Sequence, residues 1–332
     1  MSRTGANRRR LVFGTGVIVL AVLLPLYAGE YTVTTFTRII YFGFLALSVG
    51  MLVGQAGMVS LTQTAFFGLS GYVIGLLGPE RGMPFPLRDL IAIGAVLITA
   101  LVFGLIAMRT HQIVFLMITL AFGQICWAFA QQNTSLLHGW AGIRGIRPPT
   151  ILGVNFGRTS NFYWAALFII AIGIYTLRRL IHSPFGLALN GIRENPRRMS
   201  ALGYPVYWIR VASFLIAAVY AGIGGILAAY STGIVTPTTM QLSRTIWVLL
   251  TVILGGASYF WGPIVGTIIA VWLDVLISQG TARYNTVIGF IFLMTVLFLP
   301  GGVLSIAEFF RDRANNPLLD RIFRLKSGEK NK

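Results

Sequence analysis

Few side chains in this sequence could carry covalent chemistry, and they form no constellation. A phosphate-cradling loop needs Gly-Lys-Ser or Gly-Lys-Thr. The three lysines, Lys326, Lys330 and Lys332, all lie near the C-terminus and none follows a glycine. ATP hydrolysis by this chain is therefore excluded. His111, His138 and His182 fall in separate loops or helix ends without metal-ligand spacing. They read as solvated or interfacial side chains, and neither a metal site nor a cofactor is expected. The single cysteine, Cys126, reads as a packing residue and cannot form an intramolecular disulfide. What remains is non-covalent chemistry, from polar groups embedded in apolar sequence. The richest such stretch is Gly54-Gln55-Ala56-Gly57-Met58-Val59-Ser60-Leu61-Thr62-Gln63-Thr64. A second apolar run is broken at Gly255-Gly256-Ala257-Ser258-Tyr259-Phe260-Trp261-Gly262-Pro263.

The scaffold that positions these groups is a membrane protein. Of 332 residues, 56% are hydrophobic and 11% charged, whereas a soluble domain carries about 25% charged residues. Mean hydropathy is +0.77. These values exclude an ordinary cytosolic enzyme and a disordered chain. The apolar residues come in blocks rather than in the alternation of a transmembrane barrel. The net charge of +17 does not indicate nucleic acid, because Arg and Lys sit in short loops and tails between the blocks.

A crossing helix takes about 20 residues. The candidate blocks are 11–28, 39–53, 58–77, 90–108, 113–130, 162–177, 210–230, 245–257, 262–278 and 286–304. The expected fold is an all-α polytopic membrane protein of about ten helices, interrupted by Gly-rich breaks, forming one transmembrane domain over 1–332. Arg8-Arg9-Arg10 ahead of the first block resembles a signal peptide, but no small residue stands three positions before a cut, so an uncleaved helix is expected. With both termini cytoplasmic, the inner segments 1–10, 109–112, 178–210 and 305–332 hold 18 of the 26 Arg and Lys residues. The positive-inside rule requires that sign. An even number of crossings follows, although eight plus a re-entrant pair fits equally well. The basic tails are 1–10 and 305–332, and the long inner loop is 178–209.

Irregular backbone at membrane depth is tolerated only where protein or a water-filled cavity satisfies it. Paired interruptions of this kind mark the path of a transporter. The first break therefore supplies candidate path residues Gln55, Gly57, Ser60, Thr62, Gln63 and Thr64. The second has fewer polar groups and stands between close packing and function. Asp274 is an acid within an apolar block, where insertion costs about 2.5–3.5 kcal/mol. Four residues from its block end, it is expected to make a helix-end polar contact rather than to relay protons.

The long inner loop carries its own structure. Ser183-Pro184 and Asn195-Pro196 each combine a helix cap with proline at the first helical position. Phe185, Leu189 and Ile192 recur at i, i+4 and i+7, one apolar face. Gly203 suits the end of the second helix and Pro205 prevents its continuation. Two short helices at the membrane surface are expected. On pattern alone they could dock in a groove of a soluble partner or lie on lipid headgroups through Arg197 and Arg198.

These motifs resemble those of the bacterial branched-chain amino acid ABC importer permeases. Gly54-Gln55-Ala56-Gly57 with Ser60-Leu61 and Ala65-Phe66-Phe67-Gly68 is similar to that family's first signature. The segment Gly186 to Gly203, centred on Ile192-Arg193-Glu194-Asn195, resembles its coupling segment. Leu254-Gly255-Gly256 with Trp261-Gly262-Pro263-Ile264-Val265-Gly266 resembles its third signature, and Leu297-Phe298-Leu299-Pro300-Gly301-Gly302 the end of its last helix. Thr119 to Gly123 also fits, so the match runs from about residue 40 to 303. The sequence departs at Thr62-Gln63, where the family usually has Gly-His, and at Leu187, where Arg is frequent.

The chain looks closest to the second permease subunit of the high-affinity leucine/isoleucine/valine type. The resemblance implies a multi-pass protein of the bacterial inner membrane that is not itself an enzyme. Its partners would be a second permease in a heterodimer, two cytoplasmic ATPase subunits, a periplasmic solute-binding protein and the lipid bilayer, with no nucleic acid. It assigns ATPase coupling to Phe185, Gly186, Leu189, Ile192, Arg193, Glu194, Asn195 and Gly203, with the apolar face as anchor and Arg193 and Glu194 as polar contacts. Urea, short amides or another small polar solute, and proton-coupled secondary transport, remain alternatives. A passive channel is a third. The outer loop from Gln131 to Asn161, with Arg144, Arg147 and Arg158, is either a rim for acidic residues of the binding protein or a solvated loop.

Overall fold

The computed structural model describes residues 25, 29–79, 81–151, 154–280, 284–298 and 301–305. The expected block 11–28, apart from Pro25, and the tails 1–10 and 306–332 lie outside the described residues. The helices are α1 (Glu30–Gly50), α2 (Gln63–Leu77), α3 (Leu87–Ala107), α4 (Gln112–Gln132), α5 (Thr159–Ile181), α6 (Pro184–Glu194), α7 (Pro196–Ala201), α8 (Val206–Thr232), α9 (Leu242–Gly255), α10 (Gly262–Gly280) and α11 (Tyr284–Phe298). Among the described residues, five apolar helical segments are long enough to span a bilayer: 30–55, 87–107, 113–132, 159–181 and 206–232. Among the described residues there are four strands of two residues each, one pair local (150–151 with 154–155) and the other joining 143–144 to 234–235. The all-α membrane architecture therefore stands.

Lipid supplies no hydrophobic drive for helix association, so close packing and interhelical hydrogen bonds must do it. Helix α3 shows the first. Ala92, Val96, Ala100 and Gly104 recur every four residues and are buried, while Leu90, Ile98, Leu101, Val102 and Ile106 are exposed. The small face meets α8, with Val96 against Gly222 and Phe214 against Gly104. The exposed face suits lipid. The Ser48 hydroxyl donates to the Ala217 carbonyl at 2.7 Å, and that of Ser70 to the Gly222 carbonyl at 2.8 Å. At Gly225 the α8 backbone lies so close to the Phe67 carbonyl that any Cβ would collide with it. Helix α1 lies at the centre, with α2, α5, α8, α9 and α10 packed around it.

Two expected boundaries move. The block at 39–53 is helical from Glu30, which places Arg38 inside α1 and not in a loop. The block at 58–77 becomes helical only at Gln63, and residues 57–60 are irregular.

As a result α2 and α9 are short helices of opposite direction. The Phe42 and Trp247 rings lie 5.1 Å apart and Gly54 abuts Ala257, so α9 runs beside the second half of α1. Helix α2 begins beside Ser48, whose hydroxyl lies 2.7 Å from the Gln63 side-chain amide, and runs back the other way. Their first turns meet at Thr64 and Thr245, with hydroxyls 2.5 Å apart.

At the far end from α6, Arg88 holds the connections. Its Nε donates to the Tyr230 hydroxyl at 3.0 Å and its Nη2 to the Arg147 carbonyl at 3.1 Å. The Tyr230 hydroxyl in turn donates to Asp89. Beside them Ile143 and Arg144 pair with Val235 and Ile234.

Candidate functional site

Three segments far apart in sequence converge where α1 ends. The helix loosens there into a π-turn over Met51–Gln55, a geometry that recurs at functional sites. The Arg193 guanidinium, near the end of α6, donates to the Gly54 carbonyl within that turn. Gly57 follows with φ +65°, and a Cβ there would stand 2.7 Å from Cγ of Arg193. On the other side Gly54 abuts the Ala257 carbonyl and Gly50 abuts Pro263, again without room for a Cβ. The second break therefore packs directly on the first, which the sequence had left open between packing and function. Its turn needs Gly256, whose φ is +104°.

Beyond Gly57 the candidate path residues are closed in. Ser60, Thr62, Gln63 and Thr64 are all buried, while Gln55 and Gly57 are partly exposed. The hydroxyls of Ser60 and Thr62 are 3.0 Å apart, and Thr119 Oγ1 accepts from the Leu61 amide at 3.3 Å. The buried Gln63 side-chain amide lies 2.7 Å from the Ser48 hydroxyl. Because the single Ser48 proton is given to the Ala217 carbonyl, the amide is the donor in this contact.

A cavity lies on each side of this plug. One, of about 270 Å3, is lined by Gly57, Met58, Val59, Met108, Phe115 and Arg210. The other, of about 370 Å3, is lined by Arg38, Phe42, Phe67, Gly68, Gly71 and Arg244 among others. Residues 57–59 thus border one cavity and 67–71 the other, and the buried stretch between them separates the two.

The hairpin of α6 and α7 has the expected caps, with one difference. The Asn195 side chain accepts from the Arg198 amide at 3.0 Å and Gly203 has φ +85°. Ser183 instead turns its hydroxyl back to the Leu180 carbonyl at 2.6 Å. The apolar face corrects the expected anchor. Leu189 and Ile192 are fully buried and Phe185 packs against the core, so this face holds the hairpin to the protein's own helices. Gly186 sits against the Ile181 carbonyl. The outward surface is made by Leu187, Glu194, Asn195, Arg197, Arg198, Leu202, Gly203 and Tyr204. Leu187 stands where the resemblance expects Arg.

Asp274 makes a structural polar contact, as expected, though within α10 rather than at its end. It forms an ion pair with Arg38, linking α10 to α1. Arg244 sits beside this pair, and the guanidinium carbons of Arg38 and Arg244 lie 5.8 and 5.4 Å from the centroid of the Phe42 ring. The sequence reading missed this group because Arg38 and Arg244 were counted as loop charges. Arg38 is the ninth residue of α1 and Arg244 lies in the first turn of α9; each directly precedes an apolar run, which was the available signal. At the rim, Arg144, Arg147 and Arg158 are exposed.

The model of the family described as "Branched-chain amino acid transport system / permease component" matches residues 31–299, a range that contains every contact above. The chain belongs to that family. The permease component LivM of the high-affinity branched-chain amino acid transport system of Escherichia coli K12 is 26% identical, over 92% of this chain and 77% of the relative. LivM of Salmonella typhimurium is 25% identical over the same shares. The guanosine ABC transporter permease protein NupQ of Bacillus subtilis is 29% identical over 83 residues, a quarter of each chain. No solved structure matches. A permease of this family is a transport component of the membrane, and the convergence of breaks and hairpin is a property of that component.

Proposed function

We propose that this permease is the second membrane subunit of an ABC importer that carries branched-chain or related amino acids across the bacterial inner membrane. Separate ATPase subunits drive it. A second permease completes the pathway as a heterodimer, one of the two cytoplasmic ATPases docks on the α6–α7 hairpin and the other on the second permease, and a periplasmic binding protein delivers solute to the rim around Arg144 and Arg147. The charge distribution supports an even number of crossings with both tails inside, and on that orientation the hairpin and the 270 Å3 cavity face the cytoplasm.

The observation that carries this reading is the bond from Arg193 to the Gly54 carbonyl. It joins the element that faces the ATPases to the backbone break at the inner end of the plug. When the ATPases close and displace α6, Arg193 draws on the π-turn. The plug follows, because Gly54 is also seated on Ala257, and the outer and inner cavities exchange access. Rocking of packed elements around a fixed site is the usual form of alternating access. The α6 apolar face makes the transfer rigid, since Leu189 and Ile192 move with the helices they pack on.

The ion pair of Arg38 with Asp274 removes the motive for a proton-coupled reading: a neutralised carboxylate needs no proton to rest in the membrane. The test is uptake of labelled leucine into proteoliposomes. The chain with its permease, ATPase and binding-protein partners should concentrate leucine only with ATP. Uptake by the lone chain under a proton gradient would overturn the proposal.

A further inference from the structure

The outer cavity is chemically two-sided. One wall is uncharged and built of small residues, Gly68 and Gly71 on α2 and Gly225 and Ala229 on α8, and offers a surface for an apolar group. The other wall is cationic. Arg38 and Arg244 come from different helices and both approach the Phe42 ring, and Arg244 also lies 5.7 Å from the Trp247 ring. Aromatic faces hold guanidinium planes in place, so the two forks are oriented before any ligand arrives. Asp274 already shows what Arg38 accepts, because its carboxylate lies directly on Nη2.

The geometry points to Arg38 and Arg244 as the subsite for the carboxylate of the transported solute, with its apolar side chain against the Gly68–Gly71 wall and Asp274 competing for Arg38 while the site is empty. This rests on the permease reading above and names the group by which the membrane subunit recognises its solute. Exchange of one carboxylate for another keeps Arg38, whose side chain is 30% exposed, paired throughout. Arg in place of Lys gives two parallel donors matched to a carboxylate. The cavity volume of about 370 Å3 falls in the range of small-ligand pockets, about 300–1,000 Å3.

The test is protection of an introduced thiol. Thr232 is exposed and lines this cavity, so Thr232→Cys is made in a Cys126→Ala background of the assembled importer. Maleimide labelling is then followed with leucine, with 4-methylpentanoate (leucine without its amine) and with isoamylamine (leucine without its carboxylate). Leucine and 4-methylpentanoate should slow labelling and isoamylamine should not. Arg244→Gln should raise the half-protecting leucine concentration about tenfold or more. Asp274→Asn should lower it, since the competing carboxylate is gone; a merely structural pair would not give that shift. The double variant Arg38→Gln/Asp274→Asn, which leaves no lone charge, should assemble yet remain unprotected.

Equal protection by isoamylamine and leucine, or none by any of the three, overturns the subsite. Full protection in Arg38→Gln/Asp274→Asn does so as well. If the wild-type importer fails to take up leucine while 4-methylpentanoate still protects, the amino acid reading falls and the carboxylate subsite stands.

Discussion

Replacing Arg193 with alanine should uncouple ATP hydrolysis from transport. Arg193 makes one charge-assisted bond to the Gly54 carbonyl, and its stem covers Gly57. Hydrogen bonds to charged groups contribute about 1.5–3 kcal/mol. This one is only part-buried, so the low end applies, and ~1.4 kcal/mol is a factor of about ten. Hairpin and plug would then favour their concerted states about tenfold less. In proteoliposomes containing the full importer, leucine uptake per ATP hydrolysed should fall about tenfold. The ATPase rate itself should stay within about twofold, because the exposed hairpin surface, with Glu194, Arg197 and Arg198, is intact. Arg193→Lys should recover part of the loss. Gly57→Ala should reproduce it from the other partner, since φ +65° costs an L-residue about 1–2 kcal/mol and its Cβ would press on Arg193. If Arg193→Ala lowers uptake and hydrolysis in the same proportion, the bond belongs to ATPase docking, and the proposed transmission is wrong.

Asp274→Ala should cost about 1–3 kcal/mol, less than for a fully interior pair because the Arg38 side chain is 30% exposed, and Arg38→Gln/Asp274→Asn should recover most of it; thermal unfolding of the detergent-solubilised permease measures both. Ser48→Ala removes the bonds to Gln63 and to the Ala217 carbonyl, so it should destabilise by about 1–3 kcal/mol and raise the labelling of cysteines placed in the plug. Gly225→Leu should prevent stable folding, because the Phe67 carbonyl occupies the space its side chain needs; loss of a monodisperse chromatographic peak would show it. Arg197→Glu with Arg198→Glu should weaken ATPase association, and the deficit should shrink as salt rises, while the permease alone keeps its thermal stability.

The scaffold was legible because block hydrophobicity and clustered loop charge are properties of whole segments. The hairpin was legible because caps, prolines and Gly203 act locally. The meeting of the two Gly-rich breaks was not, since it depends on which glycine faces which carbonyl, as Gly54 does Ala257. Arg38 and Arg244 were assigned to loops because a charge lowers local hydropathy and shortens the apparent block, although each is held within a helix beside Phe42. Leu189 and Ile192 gave the correct helical face but not its destination. Periodicity shows that a face is apolar, and only the tertiary structure shows that the chain's own helices cover it.

The central claim is that the hairpin moves the plug, and solvent access to Ser60 tests it most directly. Ser60→Cys in a Cys126→Ala background would be labelled with a membrane-impermeant maleimide in the reconstituted importer, in the resting state and with the ATPases trapped closed on nucleotide. Ser60 is buried in the structure described here. Labelling should be slow in one of the two states and at least about tenfold faster in the other, with the difference abolished by Arg193→Ala. A labelling rate that ignores nucleotide, or one that responds equally well without Arg193, would contradict the account.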